Sequence, residues 1–447
     1  MGKTNLLEAV YLTAVGRSPR TLKDKELINH DSSKAKVAVF AQKSYGVDRV
    51  EIVVDRNANK RVAINGLPLT KMGELMGVVR VVFFSPDEMS IVKDGPANRR
   101  RLMDIALCQL SRQYFYLCNR YNRVLAQRNR LLKGVNPCPD ALDIWDAQLA
   151  DLGAVIIKTR RGFVAALSEA ARRHHSFLSD GGEDLRLVYE SLDGLIGDEI
   201  GGRSLDGEQH SGNKISKDEQ HSGKNNDLSG ERGLDNKISK DEQDLDKDSG
   251  LGDERHSGNR VSKDEQHSGK DNSLSGERGL DNRISKDGLC SCKEQYSSSE
   301  QYSSKEQHLS GDTPDQIAAI KSKFLGELKK SRAKDLRLGF TSCGPHKDDI
   351  GIYIGGIDAR RFASQGQQRT AALSIKLAEV DLAADKGEPP ILLLDDVMGE
   401  LDLNRQKKLL KKIKGMQAII TCTHFSEEVL SALGDYKEFK ISNGTVL

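Results

Sequence analysis

Residues 391–396 have the sequence Ile-Leu-Leu-Leu-Asp-Asp, an unbroken apolar run that follows Glu388-Pro389-Pro390 and ends in two carboxylates. This pattern is typical of a buried parallel strand that delivers acidic side chains to the carboxyl edge of a sheet, and it suits a Walker B motif. Asp395 would then act on the Mg²⁺ of a nucleotide, directly or through water, and Asp396 would orient or deprotonate the attacking water. A core strand that ends in solvated acids fits this stretch equally well, so other motifs must decide.

The beginning of the chain supplies a matching phosphate-binding element. Gly2-Lys3-Thr4 leads at Asn5 into an apolar helical stretch, which is how a Walker A loop ends. In such a loop, backbone N–H groups and the helix dipole hold phosphate, Lys3 reaches the β- and γ-phosphate oxygens, and the Thr4 hydroxyl binds Mg²⁺. A bare Gly-Lys-Thr triplet also occurs by chance, so its weight comes from the motifs that accompany it.

A second polar turn precedes a helix in the C-terminal part. Ser364-Gln365-Gly366-Gln367 leads into a stretch with apolar residues at helical spacing. A small, glycine-containing turn that opens a helix is another anion cradle, so the chain offers two helix starts that can face phosphate. That pairing is characteristic of ABC ATPases. The sequence therefore predicts an α/β fold, an ABC-type P-loop ATPase head.

The motif at residues 364–369, SQGQQR, resembles the signature motif of the RecF family of SMC-like ABC ATPases. The LLLDD strand and the following GELD, at residues 399–402, look like the Walker B motif and D-loop of that family. Other stretches resemble RecF segments in the expected order, namely GKTNLLEAVYLTAVGRSPRT, FFSPDEMSIVKDGPANRRRLMD, RYNRVLAQRNRLLK, GFTSCGPHKDD and QAIITCTH. The resemblance covers nearly all of the non-repetitive chain, and it implies a head built from both chain ends with an inserted helical arm.

The resemblance also implies a mechanism. ATP held by Lys3, Thr4 and Asp395 of one subunit would be capped by Ser364 and Gly366 of another, with Gln365 and Gln367 in the same turn. Asp402 would couple the two sites. The expected protein is a cytoplasmic, ATP-dependent homodimer with weak, DNA-stimulated ATPase activity. It would bind duplex and gapped DNA at single-strand/double-strand junctions, act with RecR and RecO, aid RecA loading, and serve replication, repair and the SOS response to DNA damage.

Basic residues are the expected DNA contacts. The formal net charge of +2 does not by itself indicate a nucleic-acid-binding protein, so local clusters must carry the prediction. Arg17 and Arg20 follow the first helix, and Arg99, Arg100 and Arg101 begin the arm; contacts to DNA phosphates give affinity without sequence information. Without the family resemblance, a solvated helix face would explain these arginines as well.

The chain divides into five segments. Residues 1–96 and 336–447 are predicted to form the head, residues 97–193 a helical arm, and residues 312–335 its return helix. The arm pattern indicates one long helical segment over 97–132 and a second helix over 141–177. Residues 194–311 contain SKDEQ motifs at a spacing of 23 residues, and residues 215–243 recur nearly unchanged 46 residues later, at 261–289. The repeats have too few apolar positions to stack into a core. They are predicted to be a disordered insertion, with a tether or docking segment as the alternative.

The remaining features set limits. The seven cysteines lack zinc-finger spacing and fit reduced thiols, with Cys290 and Cys292 a weak metal candidate. No run approaches the roughly 18 apolar residues of a membrane span, and no signal peptide is evident. His346 fits a local structural hydrogen bond. His424 lies where many ABC ATPases place a γ-phosphate-sensing histidine, although Thr421 or Thr423 could hold that role.

One departure from the family concerns the Walker A loop. The full motif is G-x-x-x-x-G-K-[ST], and only Met1 precedes Gly2. A polypeptide that starts at Met1 is expected to bind ATP poorly, and two explanations stay open: a misplaced start, or a degenerate copy that is at most a DNA-binding or structural remnant. An unrelated P-loop kinase is disfavoured, because a kinase has no use for a signature turn that acts on a second subunit.

Overall fold

The computed structural model describes residues 2–134, 139–191 and 314–423, with residues 428–429, 431, 435–442 and 444–446 of the last segment. The chain divides into two compact units, Met1–Gly201 with Lys305–Leu447, and Gly202–Ser304. All described residues belong to the first unit. The predicted repeat insertion, 194–311, lies outside them, as do Cys290, Cys292 and His424. Within the described ranges, no helix is long and apolar enough to cross a membrane.

Both ends of the chain contribute to one parallel sheet. Strand β5 (Val81–Phe84) pairs with β9 (Ile391–Asp395), and β9 pairs on its other side with β10 (Ala418–Thr421), so that the strand order is β10-β9-β5. Both pairings are parallel, with Val81 opposite Ile391 and Thr421 opposite Asp395. The central strand is buried on both faces, as its continuous apolar sequence predicts. The predicted head built from the two chain ends is therefore confirmed.

The N-terminal part adds a helix and an antiparallel sheet. Helix α1 (Lys3–Val15) is followed by β1 (Lys34–Lys43), β2 (Gly46–Asp55), β3 (Arg61–Ile64) and β4 (Leu67–Pro68), paired in that order. The alternating apolar residues of β2 pack with α1 into one hydrophobic cluster, which explains the predicted strands at 36–40 and 50–54. The strand predicted over 78–84 is shorter, because only Val81–Phe84 pairs with a neighbour.

In the part of the chain that the structure describes, the arm contains four helices. These are α2 (Pro96–Leu110), α3 (Arg112–Leu132), α4 (Pro139–Leu178) and α5 (Pro314–Leu338). The prediction of one helical segment over 97–132 is wrong at Ser111. This residue is extended (φ −146°, ψ 113°), and its Oγ accepts a hydrogen bond of 3.3 Å from the Tyr114 backbone N–H, so it ends α2 and caps α3.

The arm region also contains a strand that the helical prediction missed. Strand β6 (Leu185–Glu190) follows α4 and pairs antiparallel with β7 (Asp349–Ile354), which in turn pairs with β8 (Ile357–Asp358). Its buried and exposed residues alternate, as a half-buried strand requires. This small sheet joins the arm to the C-terminal part of the head.

The C-terminal part places the remaining motifs on short elements around the parallel sheet. Helix α6 (Ala359–Phe362) precedes α7 (Gln365–Ala384), which packs along α4 of the arm. Helix α8 (Leu403–Ile413) connects β9 to β10, as expected between parallel neighbours. A two-stranded ribbon, β11 (Ile441–Ser442) and β12 (Thr445–Val446), closes the described chain.

Candidate functional site at the end of the parallel sheet

Three oxygen-bearing side chains meet at the carboxyl end of β9. The Thr4 hydroxyl donates to Asp395 Oδ1 over 3.0 Å, and the Thr421 hydroxyl donates to the same oxygen over 2.7 Å. Thr4 and Asp395 are 391 positions apart in the chain, and Asp395 is buried. We call Thr4, Asp395, Asp396 and Thr421 the strand-end cluster. The two segments predicted as Walker A and Walker B motifs therefore lie side by side, and Thr421, whose role the sequence left open, joins them.

The first turn of α1 lies beside this cluster. The Lys3 ammonium donates to the Cys422 carbonyl oxygen over 2.5 Å, just beyond the end of β10. Gly2 precedes the helix with φ +117°, and a Cβ at this position would come within 3.2 Å of the Gly444 Cα atom. Both the conformation and the close approach therefore require glycine. The N–H groups of a first helical turn have no partner within the helix, so this end of α1 can bind an anion.

Asp396 has an unusual backbone conformation for a residue with a side chain. It lies in the left-handed region, with φ 55° and ψ 21°, and its side chain is exposed. Its backbone N–H donates to the Thr421 carbonyl oxygen over 3.1 Å, with the Thr421 hydroxyl at 3.2 Å. Thr421 thus fixes both acids of the strand-end cluster. Non-glycine residues in this region cost free energy and are enriched at functional sites.

A cavity of about 380 Å³ opens beside the cluster, and Thr4, Asp395 and Asp396 are in its wall. The sequence did not predict the ion cluster on another part of this wall, where buried Lys376 contacts Glu88 at 2.6 Å and Glu379 at 3.1 Å. Burial alone would lower the pKa of Lys376, but the two carboxylates outweigh it and raise the pKa above its ordinary value. Lys376 therefore stays charged, and its ion pair with Glu88 links α7 to another part of the cavity wall.

The oxygen donors suit a hard divalent cation. Hydroxyl and carboxylate oxygens are the ligands that Mg²⁺ prefers, and a nucleotide-bound Mg²⁺ usually needs only one or two protein carboxylates, with phosphate and water completing the shell. Thr4 and Asp395 offer such a set.

The predicted signature turn forms the start of α7. The Ser364 Oγ accepts from the Gln367 backbone N–H over 3.2 Å, and the Gln367 Oε1 accepts from the Ser364 N–H over 2.8 Å, which makes a complete capping box. Residues 364–367 do not line the 380 Å³ cavity, whereas Lys376, farther along α7, does. At about 1.5 Å per residue, the start of α7 lies roughly 16 Å along the helix from Lys376. The turn therefore forms no part of the cavity wall that Thr4, Asp395 and Asp396 of its own chain line.

Asp402 has a local role that the sequence did not specify. Its Oδ1 accepts from the Arg405 backbone N–H over 3.0 Å, and it caps α8. That hydrogen bond lowers the pKa of Asp402 below its ordinary value. Its side chain remains exposed, so the proposed coupling between two sites is compatible with the capping role.

The five predicted DNA-binding arginines differ in how exposed their side chains are. Arg99 is buried, and its guanidinium forms a bidentate ion pair with Asp349, at 2.7 and 2.8 Å. It cannot reach DNA, so that prediction is wrong for Arg99. Arg100 is half-buried and donates to the Asp348 carbonyl oxygen. The side chains of Arg17, Arg20 and Arg101 are exposed, and Arg20 and Arg101 line the same cavity as Thr4 and Asp395.

His346 is a structural residue. Its Nε2 lies 3.1 Å from the Thr341 carbonyl oxygen, which can only accept, so Nε2 carries the proton. Its Nδ1 then accepts from the Tyr121 hydroxyl over 2.8 Å. Burial lowers the pKa of His346 from 6.5 to about 3. The local hydrogen bond expected from the sequence is confirmed.

Comparison with known proteins reveals many similar chains. A protein from Lachnoclostridium phytofermentans named DNA replication and repair protein RecF is 32% identical over 449 residues, covering 100% of the chain and 90% of that relative. A protein of the same name from Ruminiclostridium cellulolyticum is 34% identical over 453 residues, with the same coverage. No protein-family model matches the chain.

Solved structures agree with the sequence relatives. Two structures of the recombination mediator protein RecF in the RecFOR pathway, described as RecF-ATP and RecF-ATPrS, each superpose with a TM-score of 0.67 at 28% identity. Each match covers 100% of the chain and 88% of the solved chain. The predicted fold class, an ATPase head made from both chain ends with an inserted helical arm, is confirmed by this likeness.

Proposed function

Because the chain belongs to the RecF family of DNA replication and repair proteins, we propose that it is an ATP-dependent DNA-binding protein of recombinational repair. The observation that carries the proposal is the strand-end cluster, in which Thr4 lies 3.0 Å from Asp395 although the two are 391 positions apart. A helix start, a hydroxyl and a carboxylate at one sheet edge are the parts that a Mg²⁺-nucleotide site needs.

Each residue of the cluster has a proposed part in nucleotide binding. Lys3 binds β- and γ-phosphate oxygens, for which it exchanges its present contact with the Cys422 carbonyl oxygen. Thr4 and Asp395 bind Mg²⁺, which neutralises phosphate charge when the nucleotide is bound. Gly2 and Asn5 complete the first turn of α1. The exposed carboxylate of Asp396 orients the attacking water, because Thr421 fixes its backbone at the end of the strand.

The signature turn is proposed to act on the nucleotide of a second copy. Residues 364–367 are not among the residues that line the cavity beside the strand-end cluster, which supports an action in trans rather than in cis. In the dimer, Ser364 and Gly366, with Gln365 and Gln367, cap the nucleotide bound to the partner. Nucleotide then acts as part of the interface, hydrolysis releases it, and Asp402 couples the two sites.

The exposed arginines are proposed to contact DNA phosphates. Arg17, Arg20 and Arg101 remain candidates, together with the half-buried Arg100, because their guanidinium groups can reach a ligand. Such contacts give affinity for duplex or gapped DNA without base recognition. The RecFOR pathway named for the solved relatives supports RecR and RecO as partners and an indirect effect on RecA. Preference for single-strand/double-strand junctions is the finer part of this proposal.

The test compares Asp395→Asn with Asp385→Asn, which changes an exposed acid at the C-terminal end of α7. Loss of a metal ligand is expected to weaken Mg²⁺-dependent ATP binding by about 10- to 100-fold, on the scale of other changes to metal sites. Asp385→Asn should leave it unchanged. ATP affinity is measured by calorimetry with and without Mg²⁺, and ATP-dependent retention of a gapped duplex is measured in parallel.

The outcomes separate the candidate functions. Weaker ATP binding and lost DNA retention in Asp395→Asn alone support the ATP-gated function. A wild-type chain that retains gapped DNA equally well with and without ATP would replace it with nucleotide-independent DNA binding.

A further inference from the structure

The turn that ends the long arm helix contacts the signature turn. This arm turn, residues 179–184, connects α4 to β6 and contains Asp180 and Gly181 with positive φ. From it, Glu183 Oε1 accepts a hydrogen bond of 2.9 Å from the Gln367 Nε2. Gln367 is the residue whose Oε1 completes the capping box at the start of α7. A single side-chain amide therefore joins the signature turn to the arm turn.

The second carboxylate oxygen of Glu183 contacts a residue of the arm helix α4. Glu183 Oε2 lies 2.9 Å from the His175 Nε2, and the His175 Nδ1 lies 3.3 Å from the Ser374 hydroxyl on α7. His175 and Ser374 are buried, and burial lowers the pKa of His175 despite the opposing effect of Glu183. A neutral His175 donates from Nε2 to the Glu183 carboxylate. The Ser374 hydroxyl donates to the Thr370 carbonyl oxygen over 2.7 Å. Both Glu183 oxygens are thereby fixed.

A further contact ties the same arm turn to the helix after the D-loop. Asp180 Oδ1 lies 2.6 Å from the Lys408 Nζ of α8, and Lys408 also donates to the Leu178 carbonyl oxygen. The arm turn thus contacts α7 near the signature motif and α8 after Asp402. The signature turn and the D-loop, which are proposed to contact the second copy, are therefore both connected to the arm turn.

We propose that Glu183 is a positioning residue for the signature turn, which it orients through Gln367 so that the turn can cap a nucleotide on a second copy of the chain. This inference rests on the proposed function. Glu183 does not line the cavity beside the strand-end cluster, so its effect is confined to capping. Because it sits where the arm helix returns, any displacement of the arm end changes the signature turn directly.

The experiment compares Glu183→Ala with Asp184→Ala. Asp184 is the adjacent acid, and its side chain forms an exposed ion pair with Arg172, in which both side chains are 61% exposed. Nucleotide affinity is measured with fluorescent ATP and Mg²⁺ at a protein concentration that keeps the chain monomeric. Dimerisation in ATP and Mg²⁺ is measured by analytical ultracentrifugation. Glu183→Gln, which preserves the size of the side chain and one oxygen acceptor, serves if the alanine variant does not fold.

Glu183→Ala is expected to bind ATP as the wild type does and to dimerise at least roughly tenfold more weakly, the loss of about one charged hydrogen bond. Asp184→Ala should match the wild type in both measurements. Wild-type dimerisation by Glu183→Ala, or a parallel loss of ATP affinity, would overturn the inference alone. A wild-type chain that binds ATP and stays monomeric overturns the proposed capping as well.

Mixed dimers add a result that a purely structural role would not give. A mixture of Glu183→Ala with Lys3→Ala contains one composite site in which an intact nucleotide-binding cluster faces an intact signature turn. A mixture of Glu183→Ala with Ser364→Ala contains no such site, because both chains have a defective signature. Dimerisation restored in the first mixture and absent in the second supports the inference, and equal behaviour of the two contradicts it.

Discussion

Two groups of charged residues in this molecule differ in their exposure to solvent. The strand-end cluster gathers its acids at an open cavity, and Asp396 is exposed. Where α3, α4 and α5 of the arm meet, Arg128 pairs with Asp146 at 2.5 Å and with Asp335 at 2.8 Å, and all three side chains are 0% exposed. We call Arg128, Asp146 and Asp335 the arm-helix cluster. One group is accessible to a ligand, and the other is sealed inside a helical core.

The two groups also differ in how their acceptors are used. In the arm-helix cluster, Asp146 Oδ2 accepts from Arg332, and Asp335 Oδ1 accepts from the backbone and side chain of Ser342, so all four carboxylate oxygens are paired. In the strand-end cluster, Asp395 uses Oδ1 for both hydroxyls, and its Oδ2 accepts no hydrogen bond within the described residues. A carboxylate whose two oxygens both accept hydrogen bonds within the protein has no oxygen left for a ligand, whereas a carboxylate with a spare oxygen can bind one.

The largest expected effect comes from removing the cation of the arm-helix cluster. Arg128→Met leaves Asp146 and Asp335 buried without their shared partner, and such a loss costs about 3–5 kcal/mol of unfolding free energy. Chemical denaturation at constant pH measures this cost. Arg130→Ala, an exposed arginine on the same helix, is the matched control and should stay within about 0.5 kcal/mol of the wild type. Equal losses in both variants would contradict the distinction between sealed and accessible charges.

A pH-dependent effect, smaller than that of Arg128→Met down to about pH 5, is expected from His346, which is half-buried in the arm. Its pKa falls from 6.5 to about 3 on folding, so below pH 6.5 the unfolded chain binds a proton that the folded chain excludes. Stability is therefore complete above pH 6.5 and falls as the pH decreases toward 3, by about 1.4 kcal/mol per pH unit for this proton. Denaturation curves of the wild type and His346→Gln at several pH values isolate the contribution. Parallel pH profiles would show that His346 is not buried in its neutral form.

The smallest expected effect on stability is that of Asp395→Asn without nucleotide. The amide oxygen of asparagine can still accept from Thr4 and Thr421, and one charge is removed beside Asp396. The unfolding free energy should change by no more than about 1 kcal/mol, in either direction. Thermal denaturation without ATP and Mg²⁺ measures it. A loss comparable to that of Arg128→Met would mean that Asp395 is a structural residue, which would remove the contrast between the clusters.

Sequence patterns were most informative where local structure dictates the outcome. The apolar run before Asp395 predicted a buried strand, and the polar, glycine-containing turn at residues 364–367 predicted a helix start. They were least informative for the arginines, because Arg99 and Arg101 are equally basic in sequence but differ in exposure once α2 packs against the strand that contains Asp349. The break at Ser111 was missed because the helical spacing of apolar residues continues on both sides of it.

The sequence by itself determined the parts: a strand that ends in two acids, two polar helix starts, a helical arm, and a family resemblance that the relatives confirm. Only the tertiary structure decided which residues from distant parts of the chain contact each other. Thr4 reaches Asp395, Arg128 is sealed between Asp146 and Asp335, and Glu183 holds Gln367. The physical reason is that periodicity and capping depend on residues a few positions apart, whereas these contacts depend on the path of the whole chain, which brings distant segments to one sheet edge or one helix face.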